Sequence, residues 1–144
     1  MGMDTYNSIT HSLAQAGIVP SVQRIEILEY LSACGFHPTA EQIYGALKER
    51  NAHISKATVY NTLHLFAQKG LVRVLAMEDN ENRFDIKTRD HGHFICETCG
   101  GITDFALDFS HALNPVEDAL KGCRISQKDV YVKGVCAACL NKKF

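Results

Sequence analysis

Up to about residue 53 the apolar positions recur every three to four residues, the spacing of helices that bury one face. Ile9, Leu13 and Ala16 predict a short first helix closed by Gly17. Pro20-Ser21 opens a second, in which Val22, Ile25, Leu28 and Leu31 share a side and which Gly35 stops. Thr39 followed three residues later by Gln42 reads as a capping box, and the third helix that it starts turns Ile43, Ala46 and Leu47 inward. Ser55 caps a fourth, Lys56 to Lys69, with Gly70 at its C-terminal end. Short helices joined by tight loops are the material of a helix-turn-helix.

After Gly70 the period changes to two. Leu71 to Leu75 and Arg83 to Ile86 flank the polar stretch Glu78-Asp79-Asn80-Glu81, which predicts a hairpin and therefore the winged variant of the motif. Lys87-Thr88-Arg89-Asp90 has no apolar member and is the expected hinge, dividing the chain into a winged-helix domain, 1–86, and a second domain, 91–144. The second domain begins with a strand, His93-Phe94-Ile95, reverses between Cys96 and Gly101, and returns through Ile102 to Phe105. Asn114-Pro115 starts a helix with Val116, Ala119 and Leu120 on one side, and Ile125, Val130 and Val132 suggest further strand. The expected class is α+β. A unit of 54 residues is marginal without a staple or a partner.

The chain has 144 residues, 46% hydrophobic and 22% charged, a globular composition too short for a large multidomain enzyme. No apolar run reaches the roughly 18 residues of a membrane span. Met1 to Tyr6 lacks the basic and apolar regions of a secretory signal, and Tyr6 stands where a myristoylation motif needs Ser or Thr, so a cytoplasmic protein is expected. The net charge of −1 says little about partners, but its distribution says more. From Arg50 to Met77 four basic residues and two histidines occur with no carboxylate, a local face suited to a polyanion.

Four of the six cysteines form two CxxC pairs, Cys96/Cys99 and Cys136/Cys139, separated by 36 residues. In a reducing compartment such pairs are metal ligands before they are disulfides, and four thiolates in a tetrahedron suit a closed, structural Zn²⁺ site. The alternatives are a redox CxxC or packed thiols. Cys34 and Cys123 read as small core residues, and His11, His53 and His111 as solvated. His91 and His93, at i and i+2 on a strand, face one side; with Asp85 and Asp104 they offer nitrogen and oxygen ligands that suit Fe²⁺ or Mn²⁺, although Zn²⁺ also accepts them and solvated strand histidines read the same way. The fourth helix sets Thr58, Asn61, Thr62 and His64 opposite Val59, Leu63 and Phe66. Asn pairs with adenine, Thr touches a thymine methyl, and Lys56 and Tyr60 can hold phosphate; the plain alternative is a solvated face.

Together, Pro20-Ser21-Val22-Gln23-Arg24, His37-Pro38-Thr39-Ala40, Ala57-Thr58-Val59-Tyr60, Arg83-Phe84-Asp85, His91-Gly92-His93-Phe94-Ile95-Cys96 and both CxxC pairs resemble the ferric uptake regulator (Fur) family of metal-dependent repressors. The resemblance covers nearly the whole chain. It implies a DNA-binding winged helix, an α+β domain that forms a homodimer, and a metal at the hinge. Asn61 after Tyr60, and Asp104 where iron-uptake regulators carry Glu, are similar to the peroxide-responsive branch. That branch implies a regulatory Fe²⁺ or Mn²⁺ on His37, Asp85, His91, His93 and Asp104, oxidation of His37 or His91 by peroxide, structural zinc on the four cysteines, and an inverted-repeat duplex operator. Asp90-His91-Gly92-His93 departs from the HHxH-like cluster of many iron-uptake regulators, and His64 replaces what is often a cationic or amide residue. An iron- or zinc-responsive uptake regulator and a thiol- or haem-linked regulator are rival expectations on the same fold. A CxxC oxidoreductase or small zinc hydrolase is a distant one, since no nucleophile and base stand out as a pair.

Overall fold

The computed structural model describes residues 2–34, 36–77, 81–86 and 91–142. Gly35, the predicted turn at 78–80 and the predicted hinge at 87–90 lie outside the described residues. The chain divides into two compact units, 1–88 and 89–144. Among the described residues no helix is long and apolar enough to cross a membrane.

The first unit packs four helices, α1 (Gly2–Gln15), α2 (Val22–Ala33), α3 (Ala40–Arg50) and α4 (Lys56–Gln68), with a hairpin of β1 (Arg73–Ala76) and β2 (Asn82–Asp85). The helix starts are local chemistry. Ser21 accepts from the Arg24 amide, Ser55 from that of Thr58, and Thr39 and Gln42 satisfy each other's backbone amides as a capping box. Gly70, at φ +75°, closes α4, and beyond it the Leu71 amide reaches back to the Phe66 carbonyl at 2.9 Å. The core joins Leu13, Ile27, Leu28, Ile43, Leu47, Val59, Leu63 and Phe66. Each such side chain contributes about 1.5–3 kcal/mol by leaving water. Val22 does not share the inner face of α2: it is 69% exposed on the first turn, and Ile27 is buried in its stead because α2 contacts α1, α3 and α4 and buries more than one stripe. Thr62, expected on the polar face of α4, is likewise buried. The hairpin pairs Arg73 with Asp85 and Ala76 with Asn82 in antiparallel register, so its first strand begins two residues later than the apolar run predicted.

The second unit is built on β3 (His91–Cys96), β4 (Ile102–Ala106) and β5 (Val130–Gly134), with short helices α5 (Phe109–Ala112), α6 (Asn114–Ala119) and α7 (Ala137–Leu140). The order is β4-β3-β5; β4 runs antiparallel to β3 and β5 parallel to it. Gly100, at φ +73°, turns the chain between β3 and β4. Ile125 lies in the segment before β5 rather than in a strand. Val116 and Leu120 stand 49% and 42% exposed, so the predicted apolar side of α6 is only partly covered. Cys123 is exposed and Cys34 half-buried, against the expectation of core thiols. Among the described residues of this unit the fully buried hydrophobics are Cys96, Phe109 and Cys139. Two of those are thiols, and an apolar core that small leaves the unit dependent on a staple.

Candidate metal centres and nucleic-acid interface

The four CxxC sulfurs form one cluster, all within 4.8 Å of one another. Cys96 Sγ lies 3.9 Å from Cys139 Sγ, and Cys99 Sγ 3.9 Å from Cys136 Sγ. Zn–S bonds of about 2.3 Å set tetrahedral S···S edges near 3.8 Å, so the donor set fits Zn²⁺ in kind, number and spacing. Backbone amides of Cys136 and Cys99 point at Cys96 Sγ and pull that thiol down to about 6. The Cys139 thiol is pushed up to about 12, first by Cys136 beside it and then by burial, because sulfurs this close do not all ionise without a cation among them. The structure places the site where the two chain reversals meet: Cys96 ends β3, Cys136 follows β5, and the Glu97 amide bonds the Gly134 carbonyl at 2.7 Å.

The nitrogen and oxygen donors form a pair in the first unit and a trio in the second. His37 Nε2 stands 3.8 Å from Asp85 Oδ2, with both side chains nearly buried. The loop that carries His37 is stitched to β2, where Arg83 Nη1 donates to the His37 carbonyl at 3.0 Å and the Phe84 amide to that of Pro38 at 2.9 Å. In the second unit His91 Nε2 and His93 Nε2 approach to 3.1 Å, and His93 Nε2 is 3.4 Å from Asp104 Oδ1. His93 is 1% exposed and His91 6%. The histidines are therefore not solvated strand residues. Two ring nitrogens in contact, one of them also beside a carboxylate oxygen, suit Fe²⁺ or Mn²⁺ by donor type, and Zn²⁺ accepts them too. The pattern along the chain did not point to Tyr131, which sits beside His93 in β5 and stacks on its ring at 5.8 Å between centroids and 28° between planes; only strand pairing reveals it. Arg83 had a signal, the Arg-Phe-Asp motif, but no assigned role.

On α4 the side chains of Lys56, Tyr60, Asn61 and His64 are exposed and Thr58 is half-buried. Thr58 Oγ1 is engaged with Ser55 Oγ at 2.9 Å. Lys56 Nζ pairs with Glu41 at 3.2 Å, both well exposed, a contact worth less than about 1 kcal/mol and readily exchanged for a phosphate. Beside this face an open groove of about 410 Å³ runs between the start of α2 (Ser21, Gln23, Arg24) and Thr58, Asn61 and Thr62.

A model of the ferric uptake regulator family matches residues 15–132. The peroxide operon regulator of Bacillus subtilis (strain 168) is 39% identical over 132 residues, 92% of this chain and 91% of that protein. Among solved structures, the Helicobacter pylori ferric uptake regulator Fur, described as having three functional metal-binding sites, is alike in fold, with a TM-score of 0.76 at 23% identity, over 99% of this chain and 95% of that one. PerR from Streptococcus pyogenes, described in terms of peroxide sensing and gene regulation, gives 0.52 at 26% identity over 94% and 92%. A family model that spans most of the chain, and a relative alike along almost all of it, lead to one conclusion: this chain belongs to the ferric uptake regulator family.

Proposed function

We propose that this protein is a cytoplasmic, homodimeric, metal-dependent repressor of transcription, not an enzyme, that responds to peroxide through a regulatory Fe²⁺ site. The observation that carries the reading is the contact of the buried His93 with His91 and with Asp104 in a chain 39% identical to a peroxide operon regulator. Cys96, Cys99, Cys136 and Cys139 hold a structural zinc. His37, Asp85, His91, His93 and Asp104 are the regulatory ligands, and loss of any of them weakens the hold on the metal. The exposed side chains of α4 face a duplex inverted repeat: Lys56 and Tyr60 hold phosphate, Asn61 and His64 reach base edges, and Thr58, its hydroxyl taken by Ser55, offers its methyl. Two such helices in a dimer meet successive major grooves, about 34 Å apart.

When bound, Fe²⁺ supplies reducing power toward peroxide that Mn²⁺ does not. His37 and His91 are the rings exposed to that chemistry, and a ring that gains oxygen is a poorer ligand. Losing about 1.4 kcal/mol of operator affinity already costs tenfold in occupancy at low protein concentration. The test is a mobility-shift titration on an inverted-repeat duplex with Fe²⁺- or Mn²⁺-loaded protein, before and after peroxide, alongside intact mass. The iron form should release DNA and gain oxygen on His37 or His91, while the manganese form stays bound and unmodified. Release with unmodified histidines and a new disulfide would assign the signal to cysteine, and metal-dependent binding indifferent to peroxide would favour an iron- or zinc-responsive uptake regulator.

A further inference from the structure

The three-stranded sheet has two faces, and the histidines occupy one of them. Alternation along β3 turns Gly92 to the other face, where its cross-strand partner is Phe105. The contact leaves no room for a side chain at 92. A Cβ built there would lie 2.2 Å from Phe105 Cζ, 2.4 Å from Cε2 and 2.8 Å from Cε1, whereas carbon atoms meet comfortably at about 3.5–4.0 Å. Gly92 is not among the glycines with a left-handed backbone, so its bareness provides space and not conformational freedom. The pair is flanked in register by His91↔Ala106 on one side and His93↔Asp104 on the other.

We infer that Phe105 is a positioning residue for the regulatory metal site: its ring, seated on Gly92, holds β3 against β4 so that His93 meets Asp104 with His91 beside it. The inference rests on the reading of those three residues as ligands. The physical reason is leverage. Any shift of the backbone at 92 carries the imidazoles on either side with it, and ligand positions tolerate only about 0.2 Å. Even the smallest side chain at 92 forces the Phe105 ring or the strand to move by more than that. The zinc cluster begins at Cys96, at the far end of the same strand, and serves as an internal control for folding.

The experiment compares full-length, zinc-loaded wild type, Gly92→Ala, Phe105→Leu and the double variant, measuring zinc content and titrating Mn²⁺ by electron paramagnetic resonance of the free ion. Gly92→Ala should weaken Mn²⁺ binding roughly 10- to 100-fold, the range for residues that orient metal ligands, with zinc retained. Phe105→Leu should weaken it less, and the double variant should recover toward the Phe105→Leu value, because the smaller side chain vacates the space that the new methyl needs. Wild-type affinity in Gly92→Ala, or a double variant no better than Gly92→Ala, would overturn the inference. If Gly92→Ala loses zinc as well, zinc-loaded Phe105→Leu decides: unchanged Mn²⁺ affinity there overturns the positioning role. A wild type that binds no Mn²⁺ would instead sink the ligand reading itself, and with it anything for Phe105 to position.

Discussion

Asn61 and Lys56 are both exposed on α4, yet their chemistry separates them. An amide pairs with one base edge, so Asn61→Ala should cost about 1–3 kcal/mol on the cognate duplex and much less on random DNA. An ammonium neutralises a phosphate, so Lys56→Ala should weaken both duplexes alike and lower the slope of log affinity against log salt by about 1. Equal losses for Asn61→Ala on both duplexes would remove it from base readout. The zinc ligands yield a pH prediction. Cys139, held near 12, enters the site protonated at neutral pH and must release its proton, whereas Cys96, near 6, is already a thiolate. Zinc affinity should therefore fall as pH falls, and more steeply below about 6, where Cys96 also takes a proton; competition with a chromogenic chelator across that range measures it. At this scale residue types were legible in the chain and surroundings were not. Cys96, Cys99, Cys136 and Cys139 declare themselves by spacing, but the burial of Thr62, the stack of Tyr131 on His93 and the engagement of the Thr58 hydroxyl depend on neighbours distant in sequence or on a local geometry that type alone does not specify.

The starts of α2, α3 and α4 were the most legible features because a cap is written within four residues, whereas α1, which begins at Gly2, is longer than the short helix expected around Ile9. Thr39 and Gln42, and Ser55 with the Thr58 amide, need no tertiary information. Thr39→Ala should cost about 1 kcal/mol in urea denaturation. Since Thr39 also bridges Arg83, and His37 lies two residues before it, the same change should loosen the His37 loop and weaken regulatory Mn²⁺ binding, which the same titration reads. Unchanged Mn²⁺ affinity in a measurably destabilised Thr39→Ala would show that the cap and the loop are independent. Faces were harder to read than starts. The inner surface of α2 is set by the three helices that it contacts, so a single stripe placed Val22 inside and missed Ile27. The apolar side of α6 is a real pattern that leaves Val116 and Leu120 about half exposed.

For the molecule as a whole, the two units differ in what holds them. The first has a broad apolar core drawn from four helices, while the second has little beyond Phe109 and its cysteines. Replacing Cys139 by Ser should release zinc, melt the second unit and abolish the dimer, leaving the helical unit folded, as circular dichroism with sedimentation would show. A Cys139→Ser chain that stays dimeric and keeps its zinc would contradict this. The hairpin that follows the helices was legible from the change of apolar period after Gly70, but the parallel pairing of β5 with β3 was not, because no local signal encodes a partner 38 residues away. That pairing puts the two units on different clocks during synthesis. The contacts within the helical unit can form once residue 88 has been made, whereas the sheet lacks its third strand until Gly134, and its last sulfur until Cys139, has been made. At roughly 5–20 residues per second, the ribosome spends about 3–10 s on the stretch between. For those seconds the nascent chain carries a finished reading head with no means of pairing, and a ribosome stalled in that window would display a folded monomer whose protease-resistant fragment ends near residue 88.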